Sequence, residues 1–209
     1  MIAPPERSAE RDAVIAALLP RVPLHGWTRT ALRGALSELG MDPADGDLLF
    51  PGGAAELVEA FIDLADRQMA ETEADAGFAA LRTSEKVRAL LADRLARLRP
   101  HREAVRRALA VLAQPRHAAV AARCTARTVD AVWHAAGDRA ADVSWYTKRA
   151  TLAAVYAATL LFWLRDAGED DAATLAFLDR RLAGVARVGR LRRRITERCD
   201  RLRRRPQAA

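Results

Sequence analysis

Metal-centred or nucleophilic chemistry in this chain would have to come from four histidines, His25, His101, His117 and His134, and two cysteines, Cys124 and Cys199. None of the histidines has a glutamate three residues before it, so the Glu-x-x-His pair from which helical bundles build di-iron sites is missing. The cysteines stand far apart with no C-x-x-C spacing, which predicts two inert thiols in a reducing compartment rather than a metal site or a disulfide framework. The sequence also lacks HExxH, GxSxG, a Walker loop and GxGxxG. The expectation is a protein that is not an enzyme and that has no metal site and no cofactor.

Its charges say more. Between Gly34 and Asp66 stand eight acids, Glu38, Asp42, Asp45, Asp47, Glu56, Glu59, Asp63 and Asp66, with no Lys or Arg, in a chain of net charge +7. Lys and Arg contacts to phosphate supply most nucleic-acid affinity, so this segment is expected to bind no nucleic acid. The excess of positive charge lies at the other end, where Arg180 to Arg205 holds twelve Arg against two acids, Glu197 and Asp200.

The elements that must position these groups are helices. With 51% hydrophobic residues, 5% aromatics, many Ala and Leu and little β-branched alternation, the 209 residues predict an all-α fold with a sizeable core. Met1 to Arg11 is polar with two prolines and predicts no secretory signal. The longest apolar run, Ala150 to Leu164, is fifteen residues. At roughly 22 Å it is too short for a bilayer core of about 30 Å, and it predicts a buried helix.

A first helix from Ser8 to Leu19 buries Val14, Ala17 and Leu18 and ends at Pro20 and Pro23. Thr28 caps a second helix closed by Gly40, Asp42 and Pro43 open a short third one ending near Phe50, and a longer helix runs from Ala54 to about Glu71. After a joint around Gly77 the spacing predicts helices from Ser84 to Leu98, Arg102 to Ala113, Ala118 to Arg123, Thr128 to Ala136 with a stop at Gly137, Ser144 to Arg165, and a long last helix opened by Asp170. On the helix after Ser144, Trp145, Arg149, Leu152, Tyr156, Thr159 and Trp163 share one side, and Ala150, Ala154, Ala157, Ala158 and Leu161 form a small-residue side. Periodicity alone reads both sides as ordinary core.

Four short helices, a joint and a larger helical body is the layout of TetR-type regulators, and about nine helices are expected: 1–76 as a helix-turn-helix-like subdomain, 77–188 as the body, 189–209 as a basic tail. Beyond the joint, Trp133, His134, Ala136, Gly137 and Asp138, then Asp142, Val143, Ser144, Trp145, Tyr146, Thr147, Lys148, Arg149, Ala150, then Leu152, Ala153, Val155, Tyr156 and Thr159, and Phe177 to Leu182, resemble the ubiquinone (coenzyme Q) biosynthesis accessory family, the ninth of the Coq proteins. The likeness covers roughly residues 10 to 188 and is most specific at Asp142 to Ala150.

That resemblance implies a TetR-like fold that has left DNA and holds a lipid. Members are understood to be noncatalytic, to bind ubiquinone precursors, and to help the membrane-associated di-iron demethoxyubiquinone hydroxylase reach its substrate. It implies a partner-binding patch at Asp130, Val132, Asp142, Trp145 and Tyr146, and a lipid pocket walled by Leu112, Trp133, Leu152, Tyr156 and Leu160 in place of solid core. Family members use a C-terminal amphipathic helix at the membrane. This chain departs from them with an Arg-rich tail after Gly189, whose Leu191, Arg192, Arg193, Arg194 and Ile195 combine an apolar stripe with cations suited to an anionic leaflet.

The expected protein is thus a cytoplasmic, peripherally inner-membrane-associated homodimer carrying an isoprenoid or other lipid. A ligand-responsive TetR-type repressor is the alternative from another class, and an inert helical scaffold is a third.

Overall fold

The computed structural model describes residues 3–75, 77–138, 144–168 and 170–203, with residues 188–203 as helix backbone. All regular structure among them is helical: α1 Ala9–Leu18, α2 Val22–His25, α3 Arg29–Glu38, α4 Gly46–Leu49, α5 Gly53–Ala70, α6 Thr83–Leu98, α7 Arg102–Leu112, α8 Ala118–Ala135, α9 Ser144–Trp163 and α10 Ala172–Arg203. The chain forms two compact units that divide within α9, residues 1–156 and 157–209.

Local chemistry sets the helix ends. Ser8 Oγ accepts from Arg11 N at 3.0 Å, Thr28 Oγ1 from Ala31 N at 3.3 Å, and Asp42 Oδ1 from Ala44 N at 2.8 Å. Gly40 closes α3 at φ +71°, a backbone conformation that a side chain would strain. After Pro20 the chain makes the short α2, with Pro23 in its first turn, where no amide is needed. Val14, Ile15, Leu18, Ala31, Leu32, Ala35, Leu36, Phe50, Leu57 and Val58 close the core of the head formed by α1 to α5, and Ala17 is only half-buried. Trp27 ties the head to α7: its ring packs on Phe61 at 5.2 Å and its Nε1 donates to the Ala104 carbonyl at 3.1 Å.

The half of the acidic run that falls on α5 turns inward, while Glu38, Asp42 and Asp47 stay exposed. Glu56, Glu59, Asp63 and Asp66 follow at spacings that bring them to one side of α5, where each meets arginine. Glu56 takes Arg11 of α1 at 2.8 Å, Glu59 takes Arg127 and Arg123 of α8 at 2.7 and 3.2 Å, Asp63 takes Arg7 at 2.6 Å and Arg67 at 3.1 Å, and Asp66 takes Arg94 of α6 at 2.6 Å. Glu38 and Asp47 pair with Arg21 and Arg29. Six of the eight acids thus bind arginine, and the four on α5 fasten that helix to its neighbours.

Burial works to raise the Glu59 and Asp63 carboxyls, but their arginine hydrogen bonds outweigh it and hold both below the usual range. Asp66 goes the other way: burial lifts it from 3.8 to about 6 against the pull of Arg94 and a hydrogen bond from Thr128 Oγ1 at 3.0 Å. Folding therefore takes up a proton at Asp66 between these values, and the associated stability is complete below pH 3.8 and lost as pH rises through about 6. Removing the carboxyl in Asp66→Asn is expected to make the slope of stability against pH more positive across that window than in the wild type. Urea unfolding at successive pH values checks it, and parallel slopes would refute the assignment.

In the second unit, the end of α9 and the start of α10 form a hairpin. Phe162 and Phe177 stack at 4.6 Å, Trp163 Nε1 donates to Asp171 Oδ1 at 3.1 Å, and Asp166 Oδ2 accepts from Thr174 N and Oγ1 at 3.1 and 2.6 Å. Among the described residues, no helix is long and apolar enough to cross a membrane.

Candidate functional site

The spacing that predicts two short helices between Ala118 and Ala136 meets a single one, α8. Its middle is held by long-range chemistry: Cys124, Arg127 and Thr128 point inward, where Arg127 binds Glu59 and Thr128 binds Asp66. These partners on α5 compensate for the weak helix propensity of Cys and Thr. Burial pushes the Cys124 thiol up to about 11, far from nucleophilic reactivity.

With that side of α8 committed to α5, the other side faces α9. Ala121, Ala122, Thr125, Ala126, Val129 and Asp130 of α8 and Trp145, Arg149, Ala150 and Ala153 of α9 line an open groove of about 500 Å³. This lies within the range of small-ligand sites, about 300 to 1,000 Å³. The walls are smooth and apolar because five alanines and a valine dominate them, and the Thr125 hydroxyl is already bonded to the Ala121 carbonyl at 2.9 Å.

Polar chemistry gathers at the part of the groove formed by Asp130, Trp145 and Arg149. Arg149 Nε donates to Asp130 Oδ1, and the guanidinium lies over the Trp145 ring, its carbon 3.8 Å from the centroid. Trp145 meets Tyr146 edge-on at 4.7 Å, and Tyr146 is 73% exposed. Nη1 of Arg149 is shielded from solvent and has no acceptor. Alongside, Lys148 pairs with Asp138 at 3.1 Å and stands 5.8 Å from the Trp133 ring.

Of the expected partner patch, the structure brings together Asp130, Trp145 and Tyr146. Val132 is 1% exposed and faces the interior, so a surface at this place is made without it. Asp142 lies outside the described residues. None of the five expected lipid-wall residues lines the groove. Leu152 and Leu160 are buried, Leu112 and Trp133 are half-buried, and the Tyr156 hydroxyl accepts from Arg94 Nε at 2.9 Å. Residues 191–195 continue α10, and their side chains lie outside the described set. The expected small-residue side of α9 is divided: Ala150 lines the groove together with Ala153, while Ala154, Ala157 and Leu161 are exposed. The missed signal was the run of alanines in α8 facing those of α9, since small side chains on two facing helices leave a trough where larger ones would interlock.

Comparison with known proteins falls on the same segment. The family model described as COQ9 matches residues 118–189, which contain the whole groove. Ubiquinone biosynthesis protein COQ9-B, mitochondrial, of Xenopus laevis is 35% identical over 186 residues, covering 86% of this chain and 63% of that protein. Ubiquinone biosynthesis protein COQ9, mitochondrial, of Homo sapiens is 31% identical over 183 residues, covering 84% and 57%. The chain therefore spans about three fifths of the length of the curated relatives it matches. Among solved structures, the TetR transcriptional regulator from Nitrosomonas europaea matches with a TM-score of 0.70 and 28% identity, covering 86% of this chain and 99% of that one.

Proposed function

The chain belongs to the COQ9 family, and from that premise we propose that it is a noncatalytic lipid-binding accessory protein of ubiquinone biosynthesis, which holds polyprenyl quinone precursors and presents them to the demethoxyubiquinone hydroxylase. The observation that carries this reading is the groove between α8 and α9, apolar along its walls and lying beside a half-buried tryptophan that meets an exposed tyrosine edge-on. A prenyl tail leaving a bilayer loses about 0.8 kcal/mol for each methylene exposed to water, and an apolar trough offsets part of that cost. Trp145 and Tyr146, joined by Asp130, are the docking surface in this proposal, since aromatic anchors dominate protein interfaces. The lipid would then be handed over where the partner binds. The test is turnover of demethoxyubiquinone by the purified hydroxylase with substrate supplied in vesicles. Addition of this protein should raise the rate, and an unchanged rate would count against presentation.

Two further parts of the proposal concern placement. The Arg-rich stretch with Leu191, Arg192, Arg193, Arg194 and Ile195 is the contact to an anionic membrane surface, each Arg near the leaflet contributing on the order of 1 kcal/mol. Deleting residues 191–209 is expected to abolish co-sedimentation with anionic vesicles, and undiminished sedimentation would place the anchor elsewhere. The exposed Ala154, Ala157 and Leu161 of α9 offer a close-packing face for a second copy, with light scattering as the check on a homodimer.

The likeness to a TetR regulator favours a second reading, a DNA-binding repressor. Its reading helix, α4, is four residues long and offers Asp47 and an 80% exposed Leu48 where base and phosphate contacts would call for cations and hydrogen-bond donors. A salt-dependent, sequence-specific gel shift would establish that reading in place of the first.

A further inference from the structure

We propose that Asp130 and Arg149 act together as a head-group selector, so that the groove between α8 and α9 takes a lipid with an uncharged, oxygen-bearing ring and rejects one with an anionic head. This rests on the lipid-carrier reading above and adds to it the residues that choose the cargo. Arg149 is the only cation lining the groove among the described residues, and Asp130 on the facing helix already neutralises it. The neighbouring Lys148 is likewise held by Asp138. A carboxylate or phosphate head entering here gives up its water, meets no uncompensated cation and lies against the Asp130 carboxylate. A carbonyl, methoxy or phenol oxygen loses far less hydration and can take a groove-side donor that lacks an acceptor, Nη1 of Arg149. The Trp145 ring lies over the guanidinium and sets a flat, polarisable surface suited to a planar ring beside that donor. The alanine walls then take the tail without specifying its length.

The test is equilibrium dialysis of the full-length protein against a short-chain prenylated benzoquinone and against oleate, with thermal melting to verify the fold of each variant. The wild type should bind the quinone at least tenfold more tightly than oleate. Asp130→Asn leaves Arg149 uncompensated and should tighten oleate about tenfold, collapsing the preference. Arg149→Gln keeps an amide N–H for the quinone oxygen but leaves the Asp130 carboxylate without a cation, so it should weaken oleate more than the quinone and move the ratio the other way, which keeps the test decisive even where one variant is unstable. Ala122→Trp, at an exposed position on the groove wall, should weaken both ligands at least tenfold. A quinone-to-oleate ratio unmoved by both charge variants overturns the selector while leaving lipid carriage standing. Binding that survives Ala122→Trp overturns the groove as its place. A wild type that binds neither ligand sinks the carrier reading itself, and the selector with it.

Discussion

Replacing Asp66 by Ala is expected to destabilise the protein by about 3 to 5 kcal/mol, because it strands a buried guanidinium. Arg94 is 3% exposed, with Asp66 Oδ1 at 2.6 Å and the Tyr156 hydroxyl at 2.9 Å. Without the carboxylate its charge stays in the core with one neutral partner. For a chain of this size the loss corresponds to a fall in melting temperature of about 10 °C. Distance alone does not produce the effect. The Arg21–Glu38 pair is nearly as short at 2.8 Å but lies at the surface, and Glu38→Ala should leave the melting temperature nearly where it was. Removing both buried charges in Asp66→Leu with Arg94→Met should recover most of the lost stability, since burial of the pair costs nearly as much as its attraction returns. A melting temperature within 2 °C of wild type for Asp66→Ala would refute this account of the network.

The second large effect is at the proposed docking surface. Trp145→Lys is expected to weaken binding to the hydroxylase by about 30-fold, the loss of one aromatic anchor worth roughly 2 kcal/mol. Trp145 is half-buried and packs on Arg149 and Tyr146 instead of the core, so the fold should survive the change. The new ammonium would join Lys148 and Arg149 and add repulsion to the lost contact. Binding to immobilised hydroxylase measures the first consequence, and accumulation of demethoxyubiquinone in cells measures the second. An unchanged Kd would remove Trp145 from the interface.

What could be read from the sequence was the chemistry that acts over a few residues. Ser8, Thr28 and Asp42 announce helix starts, and Gly40 and Gly137 announce helix ends, because a cap needs a side chain or a positive φ at one position. The inward side of α9 was legible in the same way: Leu152, Thr159 and Trp163 are buried at helical spacing. What escaped depends on partners distant in the chain. Glu59 and Arg127 stand 68 residues apart, and nothing local to either predicts that an acidic run with no cation of its own is neutralised by arginines arriving from α1, α6 and α8. The same contact keeps α8 unbroken through Cys124 and Thr125, where local propensity predicts a break.

The groove was missed for a related reason. Large side chains such as Leu112, Leu152 and Leu160 suggest the walls of a lipid pocket, but large side chains fill space, and the open space lies where Ala121, Ala122, Ala126, Ala150 and Ala153 face one another. The family likeness is most specific at Asp142 to Ala150, which runs into α9, and the position of the groove between α8 and α9 followed only from their packing.

The most direct test of the central claim, that the groove of α8 and α9 carries a prenylated lipid, is mass spectrometry of the organic-solvent extract of the purified protein beside that of Ala122→Trp. The account predicts an isoprenoid quinone or its precursor with the wild type and its loss from the filled variant. A wild-type extract empty of isoprenoid, or a variant that retains as much of it as the wild type, would contradict the claim.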